Sequence, residues 1–227
     1  MPADATTPAK FFGASGEPLL EVRRLGRTTY AAAHALQQEL VEQRIEERIP
    51  DQLLLTEHEP VITVGRGSAQ ALAETHGVPI VSVERGGDAT WHGPGQLVAY
   101  PIVRLGPERR DLHRYLRDLE EVVIRMLAEH GLCGSRKPGL TGVWLGEKKI
   151  CSLGVAVRRW VAWHGFALNL SNDLHVFQDF RPCGLDPGVM TRLADHGDLP
   201  MADLLLEGSA ARNFCAVFGH SIRSGQS

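Results

Sequence analysis

Hydrophobic and polar positions along the chain follow two periods. "LLEVRRLG", from Leu19, alternates and predicts a strand. In "TTYAAAHALQQELVEQRIEERI" the residues Tyr30, Ala33, Leu36, Leu40 and Val41 share one broad face, which predicts a long helix. "DQLLLTEHEPVITVG" reads as two short strands around the turn-forming pair Glu59-Pro60. "PIVSVER" predicts a strand ending at Gly86-Gly87, and "QLVAYPIV" the next. A second helix follows Asp111, a good N-cap, with Leu112, Leu116, Leu119, Val123 and Met126 as its buried stripe and Gly131 at its end. "GVWLGEKKICSLGVAV" places the polar turn "GEKK" between two apolar runs, and "VAWHGFALNL" supplies another strand. A last helix is expected from about Met201 to Phe218.

Strands outnumber helices, and the helices fall early, middle and late. The pattern predicts an α+β (mixed α/β) fold, a mainly antiparallel sheet flanked by helices. Residues 1–18 are rich in Ala, Pro, Thr and Gly without a period, and 221–227 look the same; both are read as flexible tails around one domain, 19–220. A chain of 227 residues is long enough to bury a real core. A net charge of −3 gives no basic footprint for nucleic acid. No apolar run approaches the roughly 20 residues of a membrane span, and the first residues lack the order of a secretory signal. The four cysteines include no C-x-x-C pair, which argues against a disulfide framework or a thiolate zinc site. A cytoplasmic protein with reduced thiols is expected.

The densest chemical signal is "RGGDATWHGPGQ", Arg85 to Gln96, where glycines let the backbone approach a ligand between polar side chains. It is not a phosphate loop, because neither glycine fingerprint occurs in it and a strand follows where a helix would be needed. His92 and His164 each precede a glycine, but neither has a carboxylate-rich set at close spacing, so no metal is expected. Strand alternation sends the neighbours Lys148 and Lys149 to opposite faces. Of the cysteines, Cys151 and Cys215 read as packing and Cys133 lies in a link. Cys183 alone sits between proline and glycine, in "FRPCGL", outside regular structure. It is either a nucleophile or a thiol in a turn, and as a nucleophile it needs a base or cation from elsewhere in the fold.

Taken together, "RGGDATWHGPGQLVAYPI", "GVWLGEKKICSLGVAV", "WHGFALNL" and "FRPCGL" resemble the lipoyl(octanoyl) transferase family, the octanoyl-acyl carrier protein:protein N-octanoyltransferases of lipoate biosynthesis. The resemblance runs in order from about Leu20 to Phe218. It implies a single catalytic domain like that of the biotin and lipoate protein ligases. It also implies an acyltransferase that needs no cofactor and carries octanoyl from octanoyl-acyl carrier protein, through an acyl-cysteine thioester, to a lysine. The acceptors it implies are lipoyl domains of 2-oxoacid dehydrogenases and the glycine cleavage H protein, with the enzyme a monomer. On the resemblance the nucleophile is Cys183 and its partner Lys149. Substrate contacts map onto Arg85, Gly86, Gly87, Asp88, Ala89, Thr90, Trp91 and His92, onto Ser152, Leu153 and Gly154, and onto Gly165, Phe166 and Ala167.

Two other readings stay open. An ATP-dependent lipoate or biotin ligase activates its acid as an adenylate and does not need Cys183. A non-catalytic acyl- or lipoyl-binding module would bind without turnover.

Overall fold

The computed structural model describes residues 11–67, 77–177, 187–197 and 203–223, with 187 and 203–205 described by backbone only. Strand β1 (Leu19–Thr28) leads into helix α1 (Tyr30–Ile45), which starts where the Thr29 hydroxyl accepts from the Ala32 N–H (3.3 Å). Strand β2 (Asp51–His58) returns parallel to β1, so the first three elements form a βαβ unit. Glu59-Pro60 turns the chain out of this sheet into β3 (Val61–Val64), which pairs with β4 (Ile80–Ser82) and β5 (Ala89–His92) in a separate sheet of order β4-β3-β5.

Strand β6 (Gln96–Arg104) rejoins the large sheet. After α2 (Leu112–Ala128) come β7 (Gly134–Lys137), β8 (Leu140–Leu145), β9 (Lys148–Arg158) and β10 (Val161–Asn169). Helix α3 (Asp203–Phe218) and the two-residue β11 (Ser221–Ile222) close the chain. The order is β11-β1-β2-β6-β10-β9-β8-β7, with β11-β1 and β1-β2 parallel and every other neighbour antiparallel. This is the mixed, mainly antiparallel architecture expected.

The large sheet is buried on both faces at its centre. Leu53 and Leu55 of β2 point into a core shared with α2 and α3, including Leu119, Met126 and Phe214. Leu54 points the other way, with Val98, Tyr100, Ile102 and Ala167 under α1. That is the period of two expected of a strand, with both sets apolar.

Four expectations need correcting. The α2 stripe is turned from its forecast line: Tyr115, Leu119, Glu120, Val122, Val123, Met126 and Leu127 are buried, whereas Leu112 is 42% exposed and Leu116 only half-buried. The helix packs against both the sheet and α3, so its inner face is broad, and it takes in Glu120, whose carboxylate accepts from the Gly142 N–H (3.0 Å) and pairs with Arg117 and Arg136. The link that holds Cys133 runs directly into a strand, β7, that "GSRK" does not announce because it has no apolar period. Residues Ala89 to His92 were read as loop, yet they form β5, paired antiparallel with β3. Finally, the ends read as loose are partly tied down: Phe12 bridges Pro18, and Ser221 and Ile222 pair with Leu19 and Leu20.

Candidate active site

A narrow cleft, about 30 Å³ in volume, opens where the small sheet meets the middle of the large one. Arg85, Thr90 and His92 line it from the small-sheet side. Val98 and Tyr100 line it from β6, Ser152 to Gly154 from β9, His164 to Ala167 from β10, and Tyr30 from the start of α1. Three stretches far apart in sequence therefore meet, and they hold nine of the sixteen candidate site residues: Arg85, Thr90, His92, Ser152, Leu153, Gly154, Gly165, Phe166 and Ala167. Gly86, Gly87, Asp88, Ala89 and Trp91 lie beside the cleft without lining it. Trp91 packs edge-on against Phe177 (6.1 Å between ring centres).

The glycines in this region are required by close approach. The Gly86 N–H donates to the Val155 carbonyl (2.9 Å), which brings the loop down onto β9. A Cβ at Gly154 would lie 2.9 Å from Arg85 Cδ and 3.0 Å from the Gly86 oxygen. One at Gly165 would lie 2.2 Å from the Ala99 oxygen.

Arg85 is buried and spends its donors on the loop itself: on the carbonyls of Gly86, Asp88 and Thr63 and on the Thr63 hydroxyl (2.8–3.1 Å). From there a run of hydrogen bonds crosses the molecule. The Thr63 hydroxyl meets His92 Nε2 (3.3 Å), and His92 Nδ1 donates to Gln96 Oε1 (2.8 Å). Gln96 Nε2 then donates to Asn169 Oδ1 (2.9 Å), and Asn169 Nδ2 to the Thr191 carbonyl (3.0 Å). Every donor in this chain finds an acceptor only if His92 is neutral. Burial, reinforced by His58 and Arg85, holds its pKa down to about 3 and keeps it so.

His164 owes its place to a proline. Pairing between β6 and β10 stops after Ala162↔Val103 and resumes at Phe166↔Ala99 in the same register, which puts Pro101 opposite His164. Proline has no N–H to offer a ladder. Where pairing lapses, His164 takes a left-handed conformation (φ 58°), and its own N–H is satisfied by Gln37 Oε1 of α1 (3.2 Å). Its ring turns into the cleft region with Nε2 buried and without a hydrogen-bond partner. The Thr90 hydroxyl in the cleft is likewise buried and unpartnered.

Lys149 and Lys148 face opposite ways as expected, Lys148 exposed and Lys149 only 2% exposed. Gly142 (φ 145°) makes room for the Lys149 side chain, since a Cβ there would sit 2.6 Å from Lys149 Cε. Lys149 Nζ stands 5.9 Å from the centre of the Trp144 ring and has no hydrogen-bond or ion-pair partner among the described residues. It does not line the cleft. Its backbone carbonyl accepts from the Thr191 N–H (2.9 Å), so the strand holding Lys149 and the end of the hydrogen-bonded run meet at Thr191. Cys183 lies outside the described residues. Cys151 is fully buried in the main core and its thiol is pushed up by burial, as packing requires. Tyr30, Val98, Tyr100 and His164 were not expected in the cleft. Of these only His164 stood out in the sequence, as one of two histidines that precede a glycine.

The sheet and cleft are those of a lipoyl ligase type of catalytic domain: residues 29–206 match the Lipoyl protein ligase A/B catalytic domain, and the chain belongs to that family. Among its members it is similar to octanoyltransferases. The one from Rubrobacter xylanophilus is 51% identical over 212 residues, 88% of this chain and 94% of that one. The one from Solibacter usitatus is 42% identical over 213 residues, covering 91% and 96%. In three dimensions the chain resembles a lipoate-protein ligase A bound with ATP (TM-score 0.70, 16% identity, 92% of this chain and 88% of that one). It also resembles the putative lipoate protein ligase Ta0514 of T. acidophilum with bound lipoic acid (TM-score 0.69, 16% identity, 90% and 88%). At such identities these two likenesses show the fold alone.

Proposed function

We propose that this chain moves an octanoyl group from octanoyl-acyl carrier protein to a lysine of a lipoyl domain, with Cys183 as the acyl carrier and Lys149 as its proton partner. Octanoyl transfer in protein lipoylation is the activity that its relatives, at 42–51% identity over most of the chain, support. The observation that carries the reading is the convergence of Arg85 to His92, Ser152 to Gly154 and Gly165 to Ala167 on one cleft.

In the first half-reaction the Cys183 sulfur attacks the carbonyl carbon of the carrier thioester. A new C–S bond forms, the carrier's C–S bond breaks, and the carrier sulfur leaves with the proton given up by Cys183. In the second, the acceptor amine attacks the acyl-enzyme carbonyl, the C–N bond forms, the C–S bond to Cys183 breaks, and the proton lost by the amine returns to the Cys183 sulfur. Lys149 is the relay in both directions, which fits a buried amine with no hydrogen-bond or ion-pair partner among the described residues. The apolar walls from Val98, Leu153, Phe166 and Ala167 suit the acyl tail, while the unpartnered Thr90 hydroxyl suits a polar group at its head. The donor and acceptor proteins, a monomeric state and a cytoplasmic setting belong to the same proposal. No helix among the described residues is long and apolar enough to cross a membrane.

The test is intact mass after incubation with octanoyl-acyl carrier protein and no acceptor. One octanoyl group is expected on the unmutated chain and on Cys151→Ala, none on Cys183→Ser, and slow loading on Lys149→Ala. Transfer to a lipoyl domain without any adduct would overturn the covalent route and favour direct transfer or the ATP-dependent ligase.

A further inference from the structure

Three residues from three elements come together at the edge of the cleft, and no acyl-transfer step uses them. His34 belongs to α1, Glu84 to the turn between β4 and β5, and His164 to the interrupted stretch of β10. His34 Nε2 lies 3.1 Å and His164 Nε2 3.8 Å from the same oxygen, Glu84 Oε2. All three ligand atoms fall within 4.8 Å of one another. The two imidazoles stack 5.9 Å apart.

We propose that His34, Glu84 and His164 bind one divalent transition-metal ion of the zinc class. The set is two imidazoles and a carboxylate, a donor set such ions take in open sites, leaving a further position for water or an outside ligand. The strongest sign is His164 Nε2, which is buried, has no hydrogen-bond partner, and faces Glu84 from too far for a bond. Its strained backbone (φ 58°) aims the ring there.

The protonation states suit ligation. Burial, with help from His34 and Arg85, keeps His164 neutral, its pKa near 3. Burial alone would raise the Glu84 carboxyl, but its backbone hydrogen bond and the hydrogen bond with His34 hold it below its usual value. An entry path exists, because the Glu84 side chain is 38% and His34 20% exposed. Arg85, next to Glu84, is an adverse charge for a cation at this place. Its guanidinium is engaged by Thr63, Gly86 and Asp88. No local spacing marks this set, since its members are 50 and 80 residues apart. His164 also lines the acyl cleft, so an ion here and a ligand there must alter each other's affinity.

The site stands on these side chains alone and is independent of the acyl-transfer reading. Its test uses the full chain carrying Cys133→Ser and Cys183→Ser, which removes two thiols that could also take zinc. Zn²⁺ affinity is measured by competition with a chromophoric chelator, and ligand type by Co²⁺ absorption. One equivalent is expected, without thiolate charge-transfer bands and with a rise in Tm on adding Zn²⁺. His34→Gln and Glu84→Gln, checked for folding by circular dichroism without metal, should each weaken binding by about 100-fold or more, at least the loss typical of supporting residues. Absence of stoichiometric binding would overturn the proposal. So would binding that survives both substitutions, or a cobalt spectrum with thiolate bands.

Discussion

Replacing Lys149 with methionine should make the protein more stable and nearly inactive. The side chain is 2% exposed, its nitrogen has no partner among the described residues, and Trp144 at 5.9 Å is at the outer limit of a useful ring–cation contact. A buried polar group left unsatisfied costs about 1–3 kcal/mol. Methionine matches the length of the aliphatic stem that crosses Gly142 and removes the polar tip, so most of the packing survives. A gain of about 1–2 kcal/mol is expected, which for a chain of this size is about 2–8 °C in Tm. Loss of a positioned proton relay should lower acyl transfer by about 10²–10⁴-fold. Calorimetry and a single-turnover octanoyl assay on the same preparation read both quantities. A variant that is clearly destabilised would refute the reasoning, because it would mean that Lys149 is paired in the resting enzyme. A variant that keeps its activity would remove Lys149 from the mechanism.

Asn169→Ala should cost about 1–3 kcal/mol, because Gln96 Nε2 and the Thr191 carbonyl both lose a buried partner; urea unfolding measures it, and an unchanged midpoint would show the hydrogen-bonded run to be dispensable. Gly165→Ala should cost about 3 kcal/mol or abolish folding, given a methyl 2.2 Å from the Ala99 oxygen and 2.6 Å from Pro101 Cδ. Stability should fall as pH drops from about 6.5 toward 3: His92 and His164, both held near 3 chiefly by burial, refuse protons that the unfolded chain binds. Each contributes a slope of up to about 1.4 kcal/mol per pH unit in that window. Tm measured across the window should show this, a flat profile would contradict it, and His164→Gln should make the slope shallower without removing it, since burial also holds His58 down.

The large elements were legible because their periods are clean: β1, α1, β2, β6, the β8–β9 hairpin and β10 all lie where alternation or helical spacing put them. What escaped has a physical cause in each case. Gly134–Lys137 forms a polar edge strand whose reason to exist is its partner, β8. The strand at Ala89–His92 hides among glycines because its pairing with Val61–Val64 is set by tertiary contact. In α2 the apolar spacing did not reveal that the buried face would widen to include Glu120, which depends on the Gly142 N–H and two arginines arriving from elsewhere. Cleft residues carried by motifs were found. Tyr30 and Tyr100 were not, because nothing local distinguishes a tyrosine that faces a cavity from one that fills a core. His164 showed its glycine neighbour in the sequence, but not the proline opposite it that decides where it points.

The pairing of Ser221 and Ile222 with Leu19 and Leu20 has a bearing on how the chain is made. Until the last residues arrive, the outer edge of β1 is a row of unsatisfied backbone groups beside a hydrophobic strand, a template on which another copy could add itself. Only a chain translated past Ile222 can cover that part of the edge from within. A truncation after Phe218 would remove no candidate site residue, yet would leave this edge bare, so the fate expected of such a fragment is self-association.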